Sequence, residues 1–163
     1  MPIACVLAAC GNHSSASVGG GEKHSTTWSD DRQVGFTIIK NGAPGYAFWI
    51  LDFDIDLNFD YLVGAGYDKL NVVVEYDLCV DGGEGASNNL TLRCLDKDYD
   101  ETGLSWAATY TNSDYVNYKK VGTVAIDKFS DGVLRLNFAA MGNTPSAGAN
   151  IKNISVKISA SKA

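Results

Sequence analysis

The sequence predicts an all-β domain: a two-sheet antiparallel β-sandwich of about eight strands. Three observations carry that expectation. From Trp28 onward apolar and polar residues alternate with period two, the spacing of strands with one buried face. Seventeen glycines against three prolines punctuate the alternation at short intervals. Helical periodicity is nowhere sustained. The 163 residues, 45% hydrophobic and 20% charged, suffice for one domain with a proper core.

The segment 49–60, "WILDFDIDLNFD", is the strongest strand signal. Trp49, Leu51, Phe53, Ile55, Leu57 and Phe59 share one face; Ile50, Asp52, Asp54, Asp56, Asn58 and Asp60 share the other. The run is too long for one ordinary strand, so a bend or bulge is expected within it. Further strands are expected at 34–39, 70–80, 90–95, 104–110, 115–127, 133–140 and 150–159. "FSDGV" at 129–133 reads as a tight hairpin joining two of them, and "DGGEGASNN" at 81–89 as a longer hairpin loop.

The N-terminus reads differently. Leu7-Ala8-Ala9-Cys10 resembles the lipobox of bacterial lipoproteins, in which the signal peptide is cut before a cysteine that then carries diacylglycerol. The polar, Gly/Ser-rich stretch that follows, "GNHSSASVGGGEKHS", suits a flexible tether. The resemblance implies residues 1–9 as the remnant of a signal peptide, 10–27 as tether and 28–163 as the sandwich, with lipidation at Cys10. Nine residues without Lys or Arg lack the basic region of a signal peptide, so a truncated leader is expected. The implied place is extracytoplasmic, on a bacterial membrane touched only through the lipid; the other reading is an apolar tail of a cytosolic or viral protein, with free Cys79 and Cys94 and no lipid.

The closing segment "ANIKNISVKIS" turns Ile154, Val156 and Ile158 inward. With the strand-and-hairpin layout before it, it resembles the last strand of jelly-roll carbohydrate-binding modules. That resemblance, one of pattern over residues 28–160, implies a non-catalytic, monomeric module whose partner is a poly- or oligosaccharide. A structural or adhesive surface protein that binds other proteins is the alternative.

Several constellations carry candidate chemistry. The ladder Asp52, Asp54, Asp56, Asn58, Asp60 places like charges about 7 Å apart on one strand face. Something must offset them: open water, a cation, or basic residues on a neighbouring strand. Arg135 and Asn137, and also Asn153 and Lys157, face outward on their own strands and are candidate neighbours. One reading is a solvated strand face. The other is a ligand groove in which Tyr46, Phe48, Asp52, Asp54, Asp56, Asn58, Arg135 and Asn137 bind sugar. Aromatic faces would cover C–H surfaces there, and carboxylates and amides would take hydroxyl hydrogen bonds. The loop "DKDYDETG" offers Asp96, Asp98 and Asp100 as a candidate calcium site, since a loop can curl oxygens around an ion as a strand cannot. A soluble acidic turn is the simpler reading, and no other cofactor is implied. Trp106 and Tyr110 fall with Leu104 and Ala108 on one face, which makes core their expected place.

Cys79 and Cys94 flank the 81–89 loop and invite a disulfide in an oxidising compartment. Alternation opposes it: Cys94 falls with Leu90 and Leu92 facing in, Cys79 with Glu75 and Asp77 facing out. Both histidines, His13 and His24, precede the sandwich, which removes Ser-His-Asp and Cys-His catalysis and most zinc sites from it. A net charge of −6 without a basic stripe argues against nucleic acid.

Overall fold

The computed structural model describes residues 22–25, 33–38, 43–45, 47–57, 59–129 and 132–163, with side chains from position 52 onward. Among the described residues ten strands and two short helical turns follow one another. They are β1 (Glu22–Ser25), β2 (Gln33–Ile38), β3 (Ala43–Gly45), β4 (Ala47–Asp56), α1 (Phe59–Gly64), β5 (Lys69–Val80), β6 (Asn88–Leu95), β7 (Glu101–Tyr110), β8 (Val116–Ala125), a 3₁₀ turn (Ile126–Lys128), β9 (Val133–Gly142) and β10 (Ala149–Ser161). β1 falls inside the stretch read from sequence as tether.

Two sheets form the sandwich. The first has the order β1-β4-β9-β6-β7, the second β2-β10-β5-β8, with β3 also pairing β10. All pairs are antiparallel except β1 with β4. The core lies between the sheets. Phe53, Ile55, Leu90, Leu92, Leu134, Leu136 and Phe138 from the first meet Leu70, Val72, Val74, Tyr76, Ile154, Val156 and Ile158 from the second, all buried. Ile154, Val156 and Ile158 thus point inward as their alternation requires. Each large side chain buried this way contributes about 1.5–3 kcal/mol by leaving water.

The expected bulge in β4 is present: register shifts between Trp49 and Leu51. The strand ends at Asp56, and Phe59 and Asp60 belong to α1 instead. α1 is a single short helix where the sequence suggested only strand. Its six residues are too few to show a period.

Two expected hairpins are crossovers. β5 and β6 lie in different sheets, as do β8 and β9, so the 81–89 and 129–133 segments carry the chain across the sandwich. Glycine-rich turn chemistry serves either connection, which is why the local signal misled. The tight hairpin is β6 to β7, around Asp96–Asp100.

The crossover also decides the cysteines. Cys79 pairs in register with Asn150 on the outer face of the second sheet; Cys94 pairs with Leu136 on the first. Both are free and buried, so the candidate disulfide is not formed. The alternation that opposed the bond was sound, and the flanking-the-loop argument failed because the loop joins two sheets.

At the β7/β8 side the sheets come close. A Cβ at Gly122 would run into Leu104 and lie 2.9 Å from Trp106 Cζ2. Glycine there lets Leu104 and Trp106 close that side of the core, where both are partly buried. Tyr110 is buried and its hydroxyl bonds that of Tyr76 at 2.8 Å, as expected of a core residue whose polar tip needs a partner.

Candidate functional site

The acidic ladder lies on the outer face of the first sheet. β4 runs beside β9, which pairs Asp54 with Arg135 and Asp52 with Asn137. β6 follows on the other side of β9 and sets Arg93 across from Asn137. Period-two pleating makes this placement automatic: Leu90, Leu92 and Cys94 point in, so Arg93 points out.

The charges are offset by neighbours on the same sheet. Arg135 donates from Nε to Asp54 Oδ1 at 2.7 Å and from Nη2 to Oδ2 at 3.0 Å, the two-pronged geometry that makes guanidinium–carboxylate pairs strong. Its Nη1 donates to the Lys97 carbonyl at 3.0 Å, and its Cζ lies 3.9 Å from the centroid of the Tyr99 ring. Hydrogen bonding to Asp54 is the main cause that raises the Arg135 pKa further. Asn137 donates to Asp52 Oδ1. The same amide accepts on Oδ1 from Arg93 Nε at 3.2 Å and Nη2 at 2.9 Å. Arg93 Nη1 also stands 3.9 Å from Glu101 Oε1. Asp52 is only 8% exposed and Asn137 fully buried, so neither carboxylate nor amide is left bare.

Of the expected site residues, Asp52, Asp54, Arg135 and Asn137 are therefore brought together. Asp56 stands opposite Val133 with its side chain exposed, at the end of the strand. Tyr46, Asn58 and the side chain of Phe48 lie outside the described residues. The β4 register sets Phe48 across from Ala140 and Trp49 across from Ala139. Ala140 is buried and Ala139 lies on the outer face. Asn153 and Lys157, the other candidate neighbours, sit on β10 in the second sheet.

Three participants were not singled out from the sequence: Arg93, Tyr99 and Glu101. Arg93 was legible in the alternation of β6. Tyr99 was not: it lies in the β6–β7 turn at φ 67°, a left-handed conformation that no strand pattern announces.

Beyond this network the outer face flattens. Ala139, Thr91 and Ala107 form one row across β9, β6 and β7, and Met141, Asn89 and Thr109 the next. Ala139, Thr91 and Ala107 are small, while Met141 in the next row is 44% exposed. Tyr99 is exposed beside these rows, with Arg93, Arg135 and Asp54 partly exposed and Asp52 and Asn137 buried.

In the acidic turn the three carboxylates do not converge. Asp96 is buried, and its Oδ1 accepts from the backbone N–H of Asp98 at 2.8 Å and of Asp100 at 2.9 Å. Its carboxylate shapes the turn, while Asp98 and Asp100 point to solvent. Among the described residues no three acidic, His or Cys side chains converge as a metal site. Alternation of charge along a turn had suggested convergence that the hairpin does not make.

No family model matches the sequence, and no curated protein matches it. Its likenesses are to solved structures. The chain has the fold of a jelly-roll-like β-sandwich. One similar structure is that of the T13 particle of infectious bursal disease virus, with a TM-score of 0.52 at 11% identity, over 80% of this chain and 32% of that one. The chain thus spans about a third of that protein's length. Another is a CBM4 carbohydrate-binding module, with a TM-score of 0.47 at 13% identity over 79% of this chain and 71% of that one. The C-terminal domain of the sugar-binding protein EclA gives 0.40 at 17% identity, over 80% of each chain.

Proposed function

We propose that this chain is a non-catalytic carbohydrate-binding module, and that its ligand lies on the outer face of the first sheet. One observation supports the reading above all. Asp52, Asn137 and Arg93 form one hydrogen-bonded chain and Asp54 and Arg135 a two-pronged pair next to it, beside the row of Ala139, Thr91 and Ala107. Sugar hydroxyls need donors and acceptors held in fixed directions, and an aromatic face for their C–H surfaces. Tyr99, 40% exposed and steadied against Arg135, supplies such a ring.

The context belongs to the same proposal. Lipidation at Cys10 and the Gly/Ser stretch after it would hold a monomeric module outside a bacterial membrane, touching the bilayer only through its anchor. A second reading is an adhesive sandwich that binds protein. It draws on the half-exposed valines of the edge strand β8, Val116 and Val121, the latter 61% exposed.

The test is affinity electrophoresis in gels holding neutral soluble polysaccharides, with calcium and again with EDTA. Retardation by one polymer class, lost in Tyr99→Ala and in Arg93→Ala, is expected. Trp49→Ala and Phe48→Ala then tell which register position of β4 faces the ligand. A chain that no polymer retards, or whose retardation survives both variants, is not such a module, and the protein-binding reading takes its place.

A further inference from the structure

The opposite face of the molecule has another character. On the outer side of the second sheet, β10, β5 and β8 set their residues in rows. One row is Lys152, Asp77 and Asn117; the next Ser155, Glu75 and Lys119; then Lys157, Val73 and Val121; then Ser159, Asn71 and Thr123; and last Ser161, Lys69 and Ala125. Four lysines meet two carboxylates there, a local charge of +2 on a chain whose net charge is −6. The chain's remaining charge is therefore strongly negative, and this face is its cationic side. At the loop end one more acid, Asp81, borders the face and is held by Asn150.

The two carboxylates are already engaged. Glu75 stands 3.4 Å from Lys119. Asp77 accepts from Asn117 Nδ2 at 3.0 Å and Asn153 Nδ2 at 2.8 Å, and these bonds hold its pKa below the usual range. Asn153 reaches it because a bulge between Lys152 and Ser155 puts the asparagine at φ 53°. The lysines stand on three strands in four of the five rows; Lys152 Nζ lies 3.8 Å from the centroid of the Tyr115 ring and Lys119 pairs with Glu75. Between them lie hydroxyls and amides: Ser155, Ser159, Ser161, Thr123, Asn71 and Asn117. Asn71 bonds to Thr123 at 3.1 Å, its oxygen accepting.

We infer that this lysine-and-amide face binds an anionic glycan, a polysaccharide carrying carboxylates along its chain. Charge complementarity supplies the attraction. The interleaved hydroxyls and amides match a polymer that presents hydroxyls between its charges. Nucleic acid fits less well: among the described residues the face holds no arginine fork and no row of aromatic rings for bases, and the rest of the chain repels phosphates. Because this face is remote from the Asp52–Arg93 network, each of the two readings has its own variants.

The experiment uses the full chain in biolayer interferometry against immobilised polygalacturonate, and against the same polymer with its carboxylates reduced to alcohols. Binding to the acidic polymer, at least tenfold weaker to the reduced one and weakened by raised salt, is expected. Lys119→Gln/Lys157→Gln should lower affinity about tenfold or more with unchanged circular dichroism. Arg93→Ala and Tyr99→Ala, on the other face, should leave it unchanged. Equal binding to both polymers, indifference to the lysine variants, or no binding at low salt overturns the inference. So does equal or tighter binding to duplex DNA or to vesicles of anionic lipid, which would make the face a general polyanion surface. Loss in Arg93→Ala with retention in the lysine variants would return all binding to the first sheet.

Discussion

Replacing Arg135 with methionine tests the contact that neutralises the acidic strand. Methionine keeps much of the aliphatic stem, so packing over β9 changes little. What disappears is a guanidinium that makes two hydrogen bonds to Asp54, one to the Lys97 carbonyl and a ring contact with Tyr99. The side chains of the ion pair are 12% and 17% exposed. Breaking a fully buried pair costs about 3–5 kcal/mol, because the surviving charge is left without compensation. Water reaches Asp54 partially, which lowers the expected loss to about 2–3 kcal/mol. For a domain of this size that is a Tm fall of about 6–12 °C. Urea unfolding of Arg135→Met, Asp54→Asn and the double variant measures it directly. The double variant should recover about 1.5 kcal/mol or more of the summed single losses, since once Asp54 is neutral no charge is stranded. Single losses that add within about 0.5 kcal/mol would refute the pairing, as the two side chains would then act independently.

Other outcomes follow from neighbouring contacts. Asp96→Ala removes an acceptor for two backbone N–H groups, so a loss of about 1–2 kcal/mol and faster amide exchange at Asp98 and Asp100 are expected; Tm should agree within about 1 °C between millimolar calcium and EDTA, and a calcium-dependent rise abolished by Asp96→Ala would restore the metal loop. Native alkylation followed by peptide mapping should leave Cys79 and Cys94 unlabelled yet label both after unfolding without reductant; a disulfide-linked peptide containing both would overturn their separation between sheets. Burial pushes the Cys94 thiol up to about 12 and the Tyr76 hydroxyl upward too, the latter helped by its bond to Tyr110. The unfolded chain ionises these groups near pH ~8.5 and ~10, so their stabilisation is complete below those values and falls as pH rises through them. Chemical denaturation from pH 7 to 11 should show that decline, with a shallower slope above pH ~10 in Tyr76→Phe; an unchanged slope would sink the Tyr76 assignment.

The strands were readable because pleating imposes period two on any half-buried sheet. Leu70 to Leu78, Leu90 to Cys94 and Ile154 to Ile158 all bury the positions that alternation selects. Which strands adjoin was not readable, because adjacency is a long-range property. "FSDGV" carries turn residues that suit a hairpin, yet β8 and β9 separate into two sheets and the segment crosses between them. The bulge in β4 was expected from length, but its position was not. That position matters: it sets Trp49 rather than Phe48 across from the outer-face residue Ala139. Most of the candidate site was legible in parity, since Asp52, Asp54, Arg93, Arg135 and Asn137 all point outward on their strands, although Arg93 was not singled out. Tyr99 did not, because its place depends on a left-handed turn residue and on the partner strand beneath it.

The pairing that offsets the acidic ladder also limits what the first sheet can recognise. A bare row of carboxylates would attract cations and repel anionic polymers. Here Asp54 faces a guanidinium, and Asp52 faces an amide whose oxygen in turn holds Arg93. Such groups keep their remaining lone pairs and N–H bonds in set directions and carry little unbalanced charge, which suits neutral hydroxyls better than ions. On the second sheet the balance runs the other way, with lysines in excess and the carboxylates held by asparagines and Lys119. One fold thus offers two faces that differ in net charge while sharing the same amide-and-hydroxyl background. A neutral and an acidic polymer should therefore separate them: variants at Arg93 and Tyr99 should cost affinity for the first polymer, and variants at Lys119 and Lys157 for the second.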